Sequence, residues 1–163
     1  MRAMPISTAD LHDAHPEAVA VCETQFRCFG RKRSFAGPCF TIKSFENHRP
    51  VRAVLETPGD GRVLVVDGGG SLRVGLLGDQ MAILAIENGW QGAVINGAVR
   101  DSEALNALDF GVRALGTTSR RSWDDEAGLV DCPLTIGSAL FRSGSWVYAD
   151  ADSVIVSAKE LSL

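Results

Sequence analysis

An apolar run in the middle of the chain is the clearest structural signal in the sequence. Residues 62–67 are β-branched and apolar between a terminal Arg and Asp, which is typical of a strand buried on both faces. Residues 79–88 are apolar nearly all round, so they predict a buried helix that Gly89 ends. Residues 92–96 predict a second buried strand. Together they predict a β-α-β unit with parallel strands and a right-handed crossover.

The flanking segments predict shorter elements. Before the unit, helices are expected over 8–24 and 50–56, with an alternating strand over 38–45 between them. After the unit, the pattern predicts a short helix over 101–108 and strands over 111–116, 130–136, 139–141, 145–148 and 153–157. The polar run over 117–126 is expected to be an exposed loop. The chain as a whole predicts one layered α/β domain over residues 1–163, with extra strands toward its C-terminal end.

Composition supports a packed domain and excludes several classes of protein. The 163 residues are 45% hydrophobic and carry a net charge of −4, which argues against a dedicated nucleic-acid binder. No apolar run approaches the roughly 20 residues that a membrane helix needs. The N-terminus lacks the apolar stretch of a signal peptide, so we expect a cytoplasmic protein. The four cysteines match no zinc pattern and are expected to be structural thiols.

Three polar residues are predicted to meet at one edge of the β-α-β unit. Asp79 opens the buried helix, and Arg100 and Asp101 follow the second strand. In such a unit the N-terminus of the helix lies at the edge where the next strand ends, and ligands of open α/β sheets collect there. The topology therefore predicts a crevice that contains all three side chains.

Each part of this crevice has a plausible chemical task. The unpaired backbone N–H groups at the helix start suit a substrate carboxylate. They belong to Gly78, Asp79, Gln80 and Met81. Arg100 offers a planar fork for a carboxylate or a developing enolate oxygen. Asp101 is a hard oxygen ligand for Mg²⁺ or Mn²⁺, and Asp79 could orient a metal-bound water or transfer a proton.

Plainer interpretations stay open for these and other residues. An Asp at a helix start usually caps the helix, and an adjacent Arg-Asp pair is common on surfaces. Residues 68–70 favour a tight turn over a nucleotide loop, because no dinucleotide or P-loop motif accompanies the three glycines. The histidines, His12, His15 and His48, are expected to be surface residues. The basic run over 31–33 is expected to be a solvated turn.

Three segments of the sequence form a recognisable set: GRVLVVDGGGSL at 61–72, GLLGD at 75–79 and GAVRD at 97–101. With further likeness over 25–30, 34–37 and 147–150, they resemble the RraA-like family, which contains the regulator of ribonuclease activity A and the class II 4-hydroxy-4-methyl-2-oxoglutarate aldolases. Enzymatic members carry G-x-x-G-D, then twenty residues, then R-D, and residues 80–99 provide that spacing here. Regulators without aldolase activity typically lose the acidic ligand after the Arg. The resemblance therefore implies a competent lyase site.

The resemblance implies a fold, an assembly and residue roles. The family fold is a swivelling β/β/α sandwich, usually assembled as a homotrimer with sites near subunit interfaces. By analogy, residues 78–81 bind substrate, Arg100 binds it and stabilises the enolate, and Asp101 ligates the divalent metal. The implied reactions are cleavage of 4-hydroxy-4-methyl-2-oxoglutarate to pyruvate and decarboxylation of oxaloacetate, which share one enolate.

A second class of function stays open beside the enzyme. It is a non-catalytic protein that binds and inhibits a ribonuclease, and the presence of Asp101 favours the lyase over it. A methyltransferase label is also attached to the family, but the sequence carries no adenosylmethionine-binding signature. Longer aldolases take an acidic residue from a C-terminal extension of the neighbouring subunit. Because this chain stops at Leu163, we expect that contribution to be missing, with lower activity or another substrate as the consequence.

Overall fold

Parallel strands from the middle of the chain carry the fold, which the computed structural model describes over residues 6–122 and 127–162. The helices are α1 (Thr8–Ala14), α2 (Arg49–Leu55), α3 (Asp79–Glu87) and α4 (Ser102–Asn106). The strands are β1 (Val19–Cys22), β2 (Arg27–Phe29), β3 (Phe35–Lys43), β4 (Val63–Asp67), β5 (Gly92–Val99), β6 (Val112–Thr117), β7 (Leu129–Val130), β8 (Leu134–Ile136), β9 (Ala139–Phe141), β10 (Trp146–Ala149) and β11 (Val154–Ser157).

Strand β3 joins an antiparallel half of the sheet to a parallel half. Its residues 35–38 pair antiparallel with β10, and its residues 39–43 pair parallel with β4. The strand order across the described residues is β1-β11-β10-β3-β4-β5-β6-β2, with β7 also on β3 and a separate hairpin of β8 and β9. Strands β4 and β5 are parallel and flank the crossover through α3, which confirms the predicted β-α-β unit. The predicted α/β sandwich is likewise confirmed.

The side chains of β4 alternate between two hydrophobic cores. Val63 and Val65 pack in the core shared with the antiparallel strands, whereas Leu64 and Val66 pack in the core beneath the helices. All four are fully buried. A strand in this position needs apolar residues on both faces, which explains the uninterrupted apolar run.

The predicted helix over 8–24 is wrong in its second half. Helix α1 ends at Ala14, and the chain then passes Pro16 and enters strand β1 at Val19. Proline removes a backbone donor and stops a helix, and β1 instead pairs antiparallel with β11. The spacing of apolar residues fits both structures here, and pairing with a distant strand decides between them.

The predicted strand over 130–136 is also wrong, because two short strands replace it. Asp131 has a φ of +62° and Pro133 follows it, so the backbone turns between β7 and β8. Strand β2 has no counterpart among the predicted elements. The strand over 139–141 is confirmed, and the predicted helix over 101–108 is shorter, as α4.

The predicted exposed loop over 117–126 is only partly described. Residues 123–126 lie outside the described residues. Thr117 belongs to β6, and Ser122 is only 5% exposed, so the prediction of exposure is wrong for that serine. Its hydroxyl is hydrogen-bonded to His48, which lies 74 residues away in the sequence.

Two of the four cysteines lie in the core, as expected for structural thiols. Cys22 and Cys39 are buried, and burial raises the pKa of the Cys39 thiol to about 12. Such thiols are poor nucleophiles at neutral pH. Among the helices of the described chain, none has the length and apolar character needed to cross a membrane.

Candidate active site

The segment before α3 is hydrogen-bonded to the end of β5, which brings the two predicted motifs together. The Leu76 N–H donates to the carbonyl of Ala98 at 2.9 Å, and the Arg100 N–H donates to the carbonyl of Leu77 at 2.8 Å. Gly75 forms a parallel bridge with Ala98. The start of α3 is thereby held against Arg100, as the topology predicts.

One cleft of about 240 Å³ contains every residue that the sequence predicts for the site. These residues are Gly78, Asp79, Gln80, Met81, Arg100 and Asp101. The cleft is also lined by Gly75, His48, Arg52 and Arg121. The placement of the six residues thus agrees with the sequence, and the roles of each stay predictions.

Two glycines allow the cleft to form. A β-carbon on Gly75 would lie 2.1 Å from Cγ of Arg100, and one on Gly78 would lie 2.9 Å from Oδ2 of Asp101. Neither distance is compatible with van der Waals contact, so any side chain at these positions would displace the functional groups. The glycines therefore permit close approach of the backbone rather than a special backbone conformation.

The structure does not support a capping role for either aspartate. Gly78 is the N-cap of α3, and Asp79 is the first residue of the helix. Asp101 occupies the N-cap position of α4, but its side chain makes no capping hydrogen bond and its φ is +57°. A non-glycine residue in this left-handed region is strained, and such strain is concentrated at functional sites. The exposed Asp101 carboxylate points toward Gly78 instead of closing its own helix.

Arg100 has an unsatisfied buried donor. Its Nε is buried, and within residues 6–122 and 127–162 it has no hydrogen-bond partner. A buried donor without an acceptor is costly, and most buried polar groups in native proteins are paired. An oxygen atom of a ligand in the cleft would satisfy it.

His48 also lines the cleft and is partly buried there, so the prediction of a surface histidine holds only in part for this residue. It is half-buried, its backbone N–H donates to the hydroxyl oxygen of Ser122 at 3.3 Å, and its Nδ1 is also hydrogen-bonded to that hydroxyl. Partial burial lowers the pKa of His48, and nearby positive charges lower it further. In decreasing order of effect, these charges are Arg121, Arg49, Arg100 and Arg52. The imidazole is therefore neutral at neutral pH.

A signal for His48 exists in the sequence but needs the sheet order to be interpreted. His48 follows β3, which is the parallel neighbour of β4. The carboxyl end of β3 therefore lies at the same edge as those of β4 and β5. Because β3 also continues into an antiparallel half-sheet, its membership of the parallel set is not evident from its own residues.

A second cavity, of about 330 Å³, lies on the other side of Arg100 and Asp101. It shares those two residues with the first cleft and is otherwise lined by hydroxyl side chains, from Ser102, Thr117, Thr118 and Ser119. Arg100 and Asp101 therefore line both cavities: the first cleft, which is rich in basic side chains, and the second cavity, which is rich in neutral hydroxyl groups.

A further cavity, of about 290 Å³, contains the buried Arg113 but has a structural explanation. The Arg113 Nε donates to the carbonyl of Asp150 at 3.3 Å, and its Nη1 donates to the carbonyl of Val112 at 3.2 Å. Its Nη2 donates to the carbonyl of Arg33, and the guanidinium lies 5.2 Å from the centre of the Phe35 ring. Backbone carbonyls thus satisfy this cation and tie β6 to neighbouring loops.

The donor set of the first cleft fits a hard divalent cation with few protein ligands. Across the described residues, no group of three or more His, Cys, Asp or Glu side chains is placed to hold a metal. Mg²⁺ is commonly held by one or two carboxylates, with waters and substrate oxygens completing its coordination. Asp101, with Asp79 in the same cleft, matches that pattern. A zinc site built from protein ligands alone does not.

Comparison with known proteins shows a likeness over nearly the whole chain. A family model described as RraA-like, Aldolase/RraA, matches residues 8–156. A protein of Xanthomonas campestris pv. campestris (strain 8004) with the provisional name 4-hydroxy-4-methyl-2-oxoglutarate aldolase is 48% identical over 160 residues, which are 98% of this chain and 96% of the relative.

Two solved structures share the fold closely. One is named S-adenosylmethionine: 2-dimethylmenaquinone methyltransferase from Geobacillus kaustophilus HTA426, with a TM-score of 0.93, 45% identity, and coverage of 96% of this chain and 97% of that one. The other is the RNA-processing inhibitor RraA from Thermus thermophilis, with a TM-score of 0.93, 42% identity, and coverage of 98% and 96%. The Xanthomonas relative and these two structures therefore carry three different functional names.

Proposed function

The chain belongs to the RraA-like family, and on that premise we propose that it is a divalent-metal-dependent lyase that cleaves 4-hydroxy-4-methyl-2-oxoglutarate to pyruvate. The observation that carries the proposal is the buried Nε of Arg100, which lacks a partner among the described residues and lies in the same cleft as the Asp101 carboxylate. The name of the Xanthomonas relative supports the same reaction. A cleft with an unsatisfied cationic donor is suited to stabilise negative charge that develops on an oxygen.

The start of α3 is the proposed binding site for the carboxylate of the 2-oxo acid. The first N–H groups of a helix point out of its end and attract anions. Gly75 leaves the space that the Arg100 side chain occupies, and Gly78 leaves the space that the Asp101 carboxylate occupies. Arg100 then faces the neighbouring 2-oxo oxygen.

The reaction breaks the C3–C4 bond of the substrate. The proton of the C4 hydroxyl passes to a base, C4 leaves as the carbonyl of one pyruvate, and the electron pair of the bond moves into the enolate of a second pyruvate. A proton then adds to C3 of that enolate. Arg100 stabilises the enolate oxygen, with a contribution on the order of 3 kcal/mol per donor in sites of this kind. Asp79 is the residue we propose for proton transfer, because its carboxylate lines the cleft.

The proposed metal is Mg²⁺ or Mn²⁺, with Asp101 as its protein ligand. When bound, the cation supplies Lewis-acid polarisation of the 2-oxo acid. The Asp101 backbone is in the left-handed region, and its carboxylate lies beside Gly78 at the start of α3. Oxaloacetate loses carbon dioxide through the same enolate, so we propose that the same residues support its decarboxylation.

The test measures the release of pyruvate, which is detected by coupling it to lactate dehydrogenase and the oxidation of NADH. Each of the two substrates is supplied with Mg²⁺ or Mn²⁺, and then with EDTA. The proposal expects turnover that depends on the metal and is lost with EDTA. Folded, metal-supplemented protein that releases no pyruvate from either substrate would contradict the proposal.

Inhibition of a ribonuclease is the second candidate function. The likeness to the RNA-processing inhibitor from Thermus thermophilis favours it. The two functions can be tested separately, because inhibition of a ribonuclease would act through the surface of the protein and the lyase reaction through the cleft. Titration of the chain into a ribonuclease assay with labelled RNA, in the absence of any 2-oxo acid, tests it directly.

Assembly as a homotrimer is part of the proposal. Phe45 lies just beyond the end of β3, and Leu129 lies in β7. The side chain of each is more than half exposed. Large exposed apolar side chains that lie together are typical of contact surfaces. Light scattering is expected to give a mass of three chains of 17.4 kDa. A monomer mass at micromolar concentration would exclude the trimer.

A further inference from the structure

We propose that Arg52, Arg121 and His48 form a subsite for a second carboxylate at the far end of the substrate. The subsite would make the enzyme selective for dicarboxylic 2-oxo acids over 2-oxo acids with a neutral end. This inference rests on the proposed function, because it requires the 2-oxo end to lie between the start of α3 and Arg100.

The first argument is the charge of the cleft. Three arginines line it, Arg52, Arg100 and Arg121, against the two carboxylates of Asp79 and Asp101. The 2-oxo end of the ligand and a divalent cation account for Arg100 and the two aspartates. Among the described residues that line the cleft, Arg52 and Arg121 then form a second positive region with no carboxylate assigned to it.

The surface pairing of Arg52 does not remove its charge from the cleft. Its Nε donates to Oε1 of Glu56 at 3.3 Å, and both side chains are more than half exposed. An exposed pair of this kind is weak and exchanges readily with water. A substrate carboxylate can therefore compete for the guanidinium.

The second argument is the state of His48. The hydroxyl oxygen of Ser122 accepts a hydrogen bond from the backbone N–H of His48 and also contacts its Nδ1. This arrangement favours donation by the Ser122 hydroxyl to Nδ1, which leaves the proton on Nε2. A neutral imidazole with a protonated Nε2 is a hydrogen-bond donor for a carboxylate. The arginines that disfavour its positive charge are the same ones that favour an anion beside it.

The third argument is the contrast between the two cavities that meet at Arg100 and Asp101. Within the described part of the chain, the cavity lined by Ser102, Thr118 and Ser119 offers hydroxyl groups and, apart from Arg100 and Asp101, no charged side chain. It suits a neutral polar group, whereas the cleft with Arg52 and Arg121 suits an anion. Charge complementarity therefore directs the distal carboxylate to the arginine side.

The test compares two ligands that differ only at their far end. 2-Oxoglutarate and 2-oxopentanoate have the same five-carbon chain, and a carboxylate in the first replaces a methyl group in the second. Their binding to the full chain is measured by isothermal titration calorimetry at a fixed Mg²⁺ concentration and low ionic strength. The wild type is expected to bind 2-oxoglutarate about tenfold more tightly than 2-oxopentanoate, as a charge-assisted hydrogen bond provides.

The variants assign that preference to residues. Arg121→Ala is expected to weaken 2-oxoglutarate binding about tenfold and to leave 2-oxopentanoate binding within about twofold. His48→Asn provides a second variant at the same subsite. Arg142→Ala removes an exposed arginine outside the cleft and controls for net charge, and Ser119→Ala removes a hydroxyl from the second cavity. Both controls are expected to keep the preference.

The outcomes separate this inference from the proposed function. Equal binding of the two ligands by the wild type overturns the subsite and leaves the lyase proposal standing. A preference that survives in Arg121→Ala and His48→Asn, or that disappears in Ser119→Ala, also overturns the subsite. If neither ligand binds the wild type, the subsite is overturned, and the lyase proposal is decided by the release of pyruvate alone.

Discussion

The carboxylate of Asp101 occupies the space beside Gly78 that a side chain would need, because a β-carbon there would lie 2.9 Å from Oδ2. The two residues belong to different crossovers of the sheet, and only the absence of a side chain at position 78 lets the carboxylate reach the start of α3. We therefore expect Gly78→Ala to displace the Asp101 carboxylate. Turnover is expected to fall about 10²-fold, as for other small displacements of a reacting group.

The thermal midpoint of Gly78→Ala is expected to change little, because the group that must move is the end of a flexible, exposed side chain. Gly116→Ala is the matched control, since its β-carbon would approach no atom closer than 3.5 Å. Activity in the pyruvate assay and differential scanning calorimetry are measured for both variants. Full activity of Gly78→Ala would show that the position of Asp101 does not matter for turnover.

Replacement of Arg100 by Lys tests the unsatisfied donor. Lysine keeps the positive charge but has no counterpart of the buried Nε. We expect kcat/KM to fall about 10²- to 10³-fold, with a loss in both kcat and substrate binding. Arg142→Lys, at an exposed position away from the cleft, is the control. An Arg100→Lys enzyme with wild-type kinetics would mean that charge alone is needed.

Removal of the Asp101 carboxylate tests the metal ligand. Asp101→Ala is expected to abolish metal-dependent turnover and to remove any rise in thermal midpoint that Mg²⁺ or Mn²⁺ produces in the wild type. Asp131→Ala is a close control, because Asp131 is also exposed and has a similar left-handed φ of +62°. If the wild type and Asp101→Ala respond alike to the metals, Asp101 is not the ligand.

The acid sensitivity of the fold is expected to depend on Asp150. Burial acts to raise the pKa of this carboxyl, but hydrogen bonds from Thr8, Asp152 and Ser153 outweigh it and lower the pKa below its ordinary value of 3.8. The shortest of these bonds come from the N–H of Thr8 at 2.7 Å and its hydroxyl at 2.8 Å. A carboxyl with a lowered pKa stabilises the folded state above the pKa of the unfolded chain, and this stabilisation is lost as the pH falls through the folded pKa.

The variant Asp150→Asn should therefore lose stability at neutral pH and depend less on pH in the acid range. We expect a decrease of about 1–2 kcal/mol in the free energy of unfolding at pH 7. Urea unfolding of wild type and variant from pH 7 down to pH 3 measures both effects. A constant difference between the two proteins across that range would show that Asp150 contributes nothing to acid unfolding. Asp152→Asn, whose carboxylate makes none of these bonds, serves for comparison.

The local pattern of hydrophobic residues was sufficient to predict the elements that are buried on all sides. Strand β4 must be apolar on both faces, and helix α3 packs against the sheet and the other helices. A few consecutive residues are therefore enough to predict each of these two elements. Strand β1 differs, because Val19–Cys22 follow a helix and their apolar spacing suits either structure. The decision there comes from β11, more than a hundred residues away in the sequence, and no local rule contains it.

The sequence by itself determined the β-α-β unit and, through the direction of its strands, the meeting of Asp79, Arg100 and Asp101. That inference holds because the geometry of a parallel crossover leaves one edge for both segments. Only the tertiary structure decided which further groups reach that edge. His48 and Ser122 are brought together from positions 74 residues apart, and the buried Nε of Arg100 depends on packing from several segments. Such convergence depends on the order of all strands in the sheet, which periodicity along the chain does not encode.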